Sequence, residues 1–218
     1  AQDFDFKNEL PQHEVTLETF EIGRYPVTNA EYAVFVKATG HATPRHWHGG
    51  MFPEELADHP VVYVTWHDAL AYAEWLRERT GEPYRLPTEA EWEKAARGED
   101  GRRWPWGDDW RPEHCNMRIK GPGKTTPVGQ YAPAGDSPYG CADMAGNVFE
   151  WCHSSYQPYP YGADDGREDP EVSGPRVLRG GSWIDENPGR VRCASRIGIN
   201  PDLWDGCLGF RVVQGDVE

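Results

Sequence analysis

The sequence is short of basic residues, long apolar runs and cysteine. Its 22 Lys and Arg stand against 36 Asp and Glu, which gives a formal net charge of -14. Because affinity for nucleic acid depends largely on cations that neutralise phosphates, this balance argues against a nucleic-acid partner. No stretch approaches about 18 consecutive apolar residues, so no membrane span is expected. The five cysteines, an odd number without a CxxC pair, do not predict a disulfide scaffold, although a single bridge stays open.

Glycine, proline and large aromatic residues are abundant instead. The 24 Gly and 19 Pro interrupt helices and strands at short intervals, while 10 Trp and 10 Tyr supply bulky side chains for a core. With no internal repeat or low-complexity linker, the 218 residues are expected to form one domain, residues 1–218. No leader-type segment precedes the acidic start AQDFDF. Since a leader can be removed from a mature chain, the sequence leaves the compartment open, cytoplasmic or exported.

Three segments carry the same helix-start and helix-stop signals. Each places a threonine three residues before an acidic residue, continues with apolar residues at helical spacing, and ends at glycine. The segments are TNAEYAVFVKATG from Thr28 to Gly40, TWHDALAYAEWLRERTG from Thr65 to Gly81, and TEAEWEKAARG from Thr88 to Gly98. They predict three helices.

The rest of the chain predicts short strands separated by long loops. HEVTLETFEIG (residues 13–23) alternates apolar and polar residues as a strand does, and PVVYV, RVLRGGSW and GFRVV are short apolar runs between turn residues. From Glu99 to Gly180 no helical pattern lasts more than about two turns, which predicts mostly loop. Loops of that length inside a domain are usually functional or are held by something extra, such as an ion.

Six segments occur in the order and spacing of one enzyme family. They are RYPVTNAEY (24–32), RLPTEAEWEKAARG (85–98), PWG (105–107), DMAGNVFEW (143–151), RGGSW (179–183) and GFRVV (209–213). In these segments, which span nearly the whole chain, the sequence resembles the formylglycine-generating enzymes, or sulfatase-modifying factors. The resemblance implies an α+β fold, an elaborated C-type lectin-like domain with a small twisted antiparallel sheet, flanking helices and much irregular loop.

The resemblance leaves three activities to consider, because a fold does not fix a function. One is oxidation of a sulfatase cysteine to formylglycine, in which a thiolate pair after the Gly-Gly-Ser motif binds copper. Another is iron-dependent sulfoxide synthesis, which we do not expect because its histidines lie on a separate helical domain that a chain of this length lacks. The third is ligand recognition without catalysis, as in the variable proteins that retroelements diversify in phages and bacteria.

The segment after the Gly-Gly-Ser motif lacks the cysteine pair. Asp185 to Pro188 stand roughly where the reactive thiols belong, and the only cysteine there, Cys193, stands at a non-catalytic family position. Cuprous copper needs soft thiolate ligands, which a carboxylate does not replace. We therefore expect no catalytic residues, no copper and no enzyme activity. The alternatives are a copper- and oxygen-dependent formylglycine-generating enzyme with another cysteine arrangement, such as Cys193 with Cys207, and a divergent scaffold or sensor domain.

In the resembling enzymes the motif DMAGNVFEW wraps a structural calcium ion. Carried over residue by residue, the ligands are the side chains or carbonyls of Asp143, Gly146, Val148 and Glu150. Carboxylate and carbonyl oxygens are the donors that Ca²⁺ takes. Asn116 and the carbonyl of Met117 match part of a second, weaker site, for which the sequence offers no carboxylate. The alternative for the motif is a tight turn packed by Phe149 and Trp151.

Two other polar clusters have plainer explanations. His46 and His48, with His41 and His59 nearby in sequence, suggest a metal site, but an H-x-H pair in a loop is more often structural. The acidic segment is expected to be solvated, with weak calcium binding as the alternative. Its acidic residues are Asp164, Asp165, Glu168 and Asp169.

The stretch ASRIGINPDLWDGCLGFR (residues 194–211) matches a pattern, roughly ANRNRNNPDNRNNNIGFR, that retroelement-diversified family members share. Its NPD and GFR triplets keep the frame, whereas nine positions depart from Asn or Arg: Ser195, Ile197, Gly198, Ile199, Leu203, Trp204, Asp205, Gly206 and Cys207. All nine replacements are reachable by changing adenines in Asn or Arg codons, which is how these retroelements act. Four earlier residues are expected to join the same surface: Ile184, Asp185, Glu186 and Arg190.

Apolar loop residues on a rigid frame, rimmed by polar ones, have the anatomy of a binding surface. We predict a non-catalytic protein whose loops at about 184–207 bind varied macromolecular targets, expected to be proteins, with Trp204 as the main contact. The alternative is a satellite core beneath the loops. The sequence leaves the identity of the ligand and the oligomeric state open.

Overall fold

The three predicted helices form where the sequence places them. A computed structural model describes residues 6–162 and 164–215, with helices α1 (Asn29–Thr39), α2 (Trp66–Thr80) and α3 (Glu89–Arg97). Each follows a threonine cap, Thr28, Thr65 or Thr88, whose hydroxyl accepts the backbone N–H three residues on, and each completes a capping box. Gly40 and Gly81 end α1 and α2 in the left-handed conformation, which glycine adopts without strain.

Within the described residues, seven short strands form two small sheets. They are β1 (Glu21–Ile22), β2 (Tyr84–Arg85), β3 (Phe149–Ser155), β4 (Arg176–Arg179), β5 (Arg196–Ile199), β6 (Leu208–Gly209) and β7 (Val213–Gln214). The larger sheet has the order β5-β4-β3-β6 and is antiparallel except for the pair β3 and β6. The smaller sheet is antiparallel, in the order β1-β7-β2.

Three of the four strand predictions fail in whole or in large part, since GFRVV contributes only Gly209 to β6 and Val213 to β7. Only Glu21–Ile22 of the segment 13–23 forms strand, and PVVYV contributes one isolated bridge, between Pro60 and Thr28. An alternating sequence becomes a strand only where a neighbouring backbone supplies hydrogen-bond partners. Val61 and Val64 are nevertheless fully buried, so PVVYV fills the core as irregular chain.

Three strands, β2, β3 and β5, lie where the sequence predicted none. β3 occupies part of the supposed loop from Glu99 to Gly180, and all seven of its residues are buried, His153 and Ser154 among them. A strand buried on both faces shows no alternation in its sequence, so the pattern does not reveal it. β5 lies in the C-terminal stretch and is defined by its pairing with β4, Leu178 opposite Ile197.

The main core packs α1 and α2 against the larger sheet. Its large members include Tyr32, Phe35, Trp66, Tyr72, Trp151 and Phe210. A second cluster joins Trp92 of α3 to Cys152 and Cys193. Cys207 and Leu208 belong to the main core, so the C-terminal loops are anchored at their ends by buried side chains.

A buried ion-pair network connects α3 to β4 and β5. Glu89 is fully buried and accepts hydrogen bonds from Arg196 at 2.5 and 2.7 Å and from Arg179 at 3.3 Å. Arg179 also donates to Glu93, at 2.5 Å, and to the carbonyl of Cys193. Because buried charges persist only when they are paired and hydrogen-bonded, this network fixes the chain that enters the C-terminal loops.

Candidate functional site

Two loops predicted to bind ligand lie side by side. The Trp183 indole N–H donates to the carbonyl of Gly206 at 3.1 Å, which ties the segment after the Gly-Gly-Ser motif to the loop before β6. The backbone N–H of Tyr63 donates to the carbonyl of Asp205 at 2.9 Å. The loop 200–206 is therefore held from two sides, by Trp183 and by the chain preceding α2.

The exposed residues of these loops define what we call the Trp204 surface. It contains three large apolar side chains, Ile184, Leu203 and Trp204, which are 40%, 47% and 41% exposed. The exposed polar members are Glu186, Arg190 and Asp205. Glu186 forms an ion pair with Arg118 at 3.3 Å. Apolar side chains of this size rimmed by charged residues are typical of interaction surfaces.

Other predicted surface residues are buried or partly buried. Ser195 and Cys207 are buried, which corrects their assignment to an exposed surface. Ile197 and Ile199 are partly buried and pack against the main core. The satellite-core alternative therefore describes these two isoleucines better than the binding-surface prediction does. Asp185 is partly buried as well.

Two glycines of the predicted variable set are constrained by packing. A Cβ at Gly198 would lie 2.4 Å from Cγ of Tyr156, and one at Gly206 would lie 2.8 Å from the Tyr63 hydroxyl. Contacts this short force the neighbouring ring to move. Gly198 and Gly206 are therefore poor positions for free variation. The sequence pattern of residues 194–211 did not indicate this constraint.

Asp185, which the resemblance places roughly at the position of the reactive thiols, is a capped carboxylate. Asp185 accepts hydrogen bonds from the backbone N–H and the hydroxyl of Ser182, at 2.8 and 3.2 Å, and burial raises its pKa. Burial raises the pKa of the Cys207 thiol to about 12, and the nearby carboxylates of Asp205 and Asp185 contribute to this rise. Burial also raises the pKa of Cys193 to about 12. All five cysteines are buried and free, so no disulfide and no exposed thiolate is present.

Comparison with known proteins places the chain in a family. Residues 1–215 match the sulfatase-modifying factor enzyme 1-like domain. The chain belongs to this family. It is 37% identical to the formylglycine-generating enzyme of Streptomyces coelicolor, over 93% of this chain and 80% of that protein. It is 33% identical to the inactive C-alpha-formylglycine-generating enzyme 2 of Bos taurus, over 95% of this chain and 81% of that protein.

Among solved structures, the family member resembles Treponema denticola variable protein 1 with a TM-score of 0.79 and 25% identity, over 97% of this chain and 89% of that one. The predicted α+β, C-type lectin-like fold of the formylglycine-generating type is confirmed. Because the sulfatase-modifying factor family contains enzymes as well as inactive members, membership alone does not decide whether this chain is an enzyme.

In this family member the motif DMAGNVFEW forms a tight loop that runs into β3, with Asp143 in the loop and Glu150 in the strand. Asp143 has a positive φ of 57°, accepts the Gly129 N–H at 2.7 Å, and has its pKa raised to about 6 by burial. Glu150 is fully buried and accepts two hydrogen bonds from Arg211, at 2.6 and 2.7 Å, and one from the Trp92 indole at 2.7 Å. Since a carboxylate has about four lone-pair positions, Glu150 keeps one for a further partner.

Asn116 lies beside this loop. It forms an isolated parallel bridge with Gly146, and its side-chain oxygen is buried without a hydrogen-bond partner. A carbonyl-type oxygen in that state fits a cation ligand. The carbonyl of Met117, the other half of the second predicted site, already accepts the Gly121 N–H at 2.6 Å.

Of the histidines considered as metal ligands, His46 has both ring nitrogens buried without a hydrogen-bond partner and His48 is exposed. His41 pairs with Asp68 at 2.7 Å and His59 contacts the Thr125 hydroxyl at 2.9 Å. In the described ranges no three His, Cys, Asp or Glu side chains gather as a metal site would require.

The acidic segment is not simply solvated, because Asp165 pairs with buried Arg167 and Glu168 accepts the Ser154 hydroxyl at 2.5 Å. No helix in the described part of the chain is long and apolar enough to cross a membrane.

Proposed function

We propose that this family member is a non-catalytic binding protein whose Trp204 surface contacts a protein target. The proposal rests on Asp185, which the resemblance places roughly where the reactive thiols belong, and on the exposed apolar surface beside it. Formylglycine generation needs accessible soft thiolates, whereas the cysteines of this chain are buried, and burial raises the pKa values of Cys193 and Cys207.

The anchoring of the Trp204 surface supports binding. Trp183, Tyr63 and the buried ends of the loops hold the backbone, so that little ordering is left to occur on association. A partly exposed tryptophan on a rigid loop is the side chain from which interfaces draw most energy. We place Trp204 at the centre of the contact and Ile184 and Leu203 beside it.

We further propose that a retroelement diversifies this surface, and the likeness to Treponema denticola variable protein 1 supports this. The exposed positions are the ones that variation can reach without disturbing the core: Ile184, Glu186, Arg190, Leu203, Trp204 and Asp205. The test is the DNA beside the gene. A reverse-transcriptase gene and a near-copy of the 3′ end that differs only at adenines support diversification, and their absence refutes it.

Formylglycine generation is the second candidate, favoured by the similarity to the Streptomyces enzyme and by Cys207 lying beside Asp185. The deciding experiment incubates the protein with copper, oxygen and a sulfatase-type cysteine peptide and assays aldehyde by mass spectrometry. We expect no product, with the Streptomyces enzyme as positive control. Conversion over many turnovers would refute a non-catalytic role.

We also propose a structural calcium ion at DMAGNVFEW, held by Asp143, the carbonyls of Gly146 and Val148, and the remaining lone pair of Glu150. Asp143 supports it, because burial raises the pKa of its carboxyl, and a cation bound there would stabilise the charged form. Bound there, calcium would neutralise Asp143 and hold the turn that leads into β3. Asn116 offers a neighbouring oxygen for a weaker second ion.

A further inference from the structure

An arginine outside the predicted loops completes the Trp204 surface. The Arg45 guanidinium lies over the Trp204 ring, 4.2 Å from its centroid. The Tyr63 ring lies 6.2 Å from Trp204, and the His46 ring lies 5.1 Å from Tyr63. We call these four residues the Trp204 cluster. It joins the loop that follows α1 to the loop that precedes β6, and no sequence pattern pointed to Arg45 or Tyr63.

The cluster is rigid before any ligand arrives. Tyr63 has φ of 61°, a left-handed conformation that a bulky residue adopts only when its surroundings require it. Its backbone N–H is bonded to Asp205, and its hydroxyl packs against Gly206. Trp204 therefore rests on a fixed aromatic support, and its position fixes the guanidinium stacked on it.

Arg45 is an unpaired cation in these surroundings. In the described part of the chain no carboxylate forms an ion pair with it, and it is exposed. The two carboxylates nearest in sequence to Trp204 have other contacts, since Asp205 accepts the Cys207 thiol at 3.4 Å and Asp202 pairs with His67 at 3.3 Å. Burial and His48 lower the pKa of His46, which disfavours its charged form.

A planar guanidinium is weakly hydrated and presents paired N–H donors that match a carboxylate. Stacked on an aromatic ring, it loses little freedom when it forms such a pair. The net charge of -14 repels acidic partners at long range, but this repulsion is screened beyond about 8 Å at physiological salt. A contact at Arg45 therefore selects by short-range geometry.

We propose that Arg45 binds a carboxylate of the protein target, from an Asp or Glu side chain that lies next to an apolar side chain packed on Trp204 and Leu203. This rests on the proposed binding function and names the chemistry of the partner: an acidic–apolar protein surface. Arg45 is then a specificity-determining residue that lies outside the varied segment, so that it favours acidic targets whatever Leu203 and Asp205 become.

The test selects peptides from a displayed random 12-residue library on the wild-type protein and measures their Kd for variants by titration calorimetry. We expect enrichment of Asp or Glu within three residues of an aromatic or aliphatic residue. Arg45→Gln should weaken these peptides at least about tenfold. It should have no such effect on peptides in which the acid is replaced by its amide. The matched control is Arg79→Gln, which removes another exposed arginine stacked over a tryptophan, 5.4 Å from the Trp75 ring.

The outcomes separate the two proposals. The role of Arg45 is overturned, and the binding surface stands, if peptides that lose affinity with Trp204→Ala contain no acidic residue. The same holds if the effects of Arg45→Gln and of acid-to-amide replacement on their affinity are additive. Selected peptides that are indifferent to Trp204→Ala overturn the proposed surface itself. A library that enriches no Trp204-dependent peptide counts against both. Arg45→Lys keeps the charge and loses the planar fork, so we expect an intermediate affinity.

Discussion

Glu89→Gln is expected to destabilise the protein strongly, although it is nearly isosteric. Glu89 is fully buried and neutralises Arg196 through two hydrogen bonds of 2.5 and 2.7 Å. Arg179 retains Glu93, but Arg196 is left with the carbonyls of Asn8 and Gln157 as its partners. One buried cation therefore loses its counter-ion, which typically costs about 3–5 kcal/mol of unfolding free energy.

For a chain of this size, about 4 kcal/mol corresponds to a fall in Tm of roughly 8–16 °C. Differential scanning calorimetry measures it, with Glu78→Gln on the exposed face of α2 as the control that should leave Tm within about 2 °C. If Glu89→Gln melts within about 2 °C of the wild type, the network does not stabilise the fold. Near-normal stability with weakened peptide binding would show that it orients the loops without stabilising the fold.

Four further predictions concern the site. Trp204→Ala should weaken the binding of a selected protein or peptide ligand by about 2 kcal/mol or more and leave Tm unchanged. Tyr139→Ala, at a 53% exposed residue outside the surface, should change neither the affinity nor Tm. Gly198→Ala should lower the unfolding free energy by about 1–3 kcal/mol, because its Cβ would meet Tyr156 at 2.4 Å. The control Leu203→Ser should leave the unfolding free energy unchanged in chemical denaturation. If both variants are as stable as the wild type, Gly198 is a variable position after all. Chelation should lower Tm, with calcium at 100 times its Kd restoring about 2.7 kcal/mol, and Asp143→Ala should abolish this response; a wild type insensitive to chelator refutes the ion. Burial raises the pKa values of Cys193 and Cys207 to about 12, so that roughly one thiol in 10⁴ is ionised at pH 8 and both should react only slowly with a thiol reagent. In denaturant, all five thiols should react fast. Rapid reaction of the native protein would contradict the burial.

The carboxylates of DMAGNVFEW illustrate how far the sequence carries a site. The motif predicts Asp143 and Glu150 as ligands of one calcium ion, and the structure buries both carboxylates, Asp143 in the loop and Glu150 in β3. It did not indicate that Glu150 is held by Arg211, because that arginine lies about sixty positions along the chain and reaches Glu150 only when β6 pairs with β3. The proposed ion must therefore share Glu150 with an arginine.

Strands were harder to predict than helices for a physical reason. Helix α2 is defined by contacts within its own segment, such as the cap between Thr65 and Asp68. β3 and β5 exist because β4 lies between them and supplies hydrogen-bond partners. The segment 13–20 has a strand-like pattern but no paired partner, and it forms no strand.

By itself, the sequence determined the three capped helices, the fold family and the presence of Trp204 in an unusual loop. Each of these follows from residue identity at short spacing. Only the tertiary structure decided that Ser195 and Cys207 are buried, that Gly198 and Gly206 are locked by tyrosine rings, and that Arg45 stacks on Trp204. Burial and contact are properties of chain segments that meet in space, so a loop's sequence lists candidate contacts while packing selects which of them face a ligand.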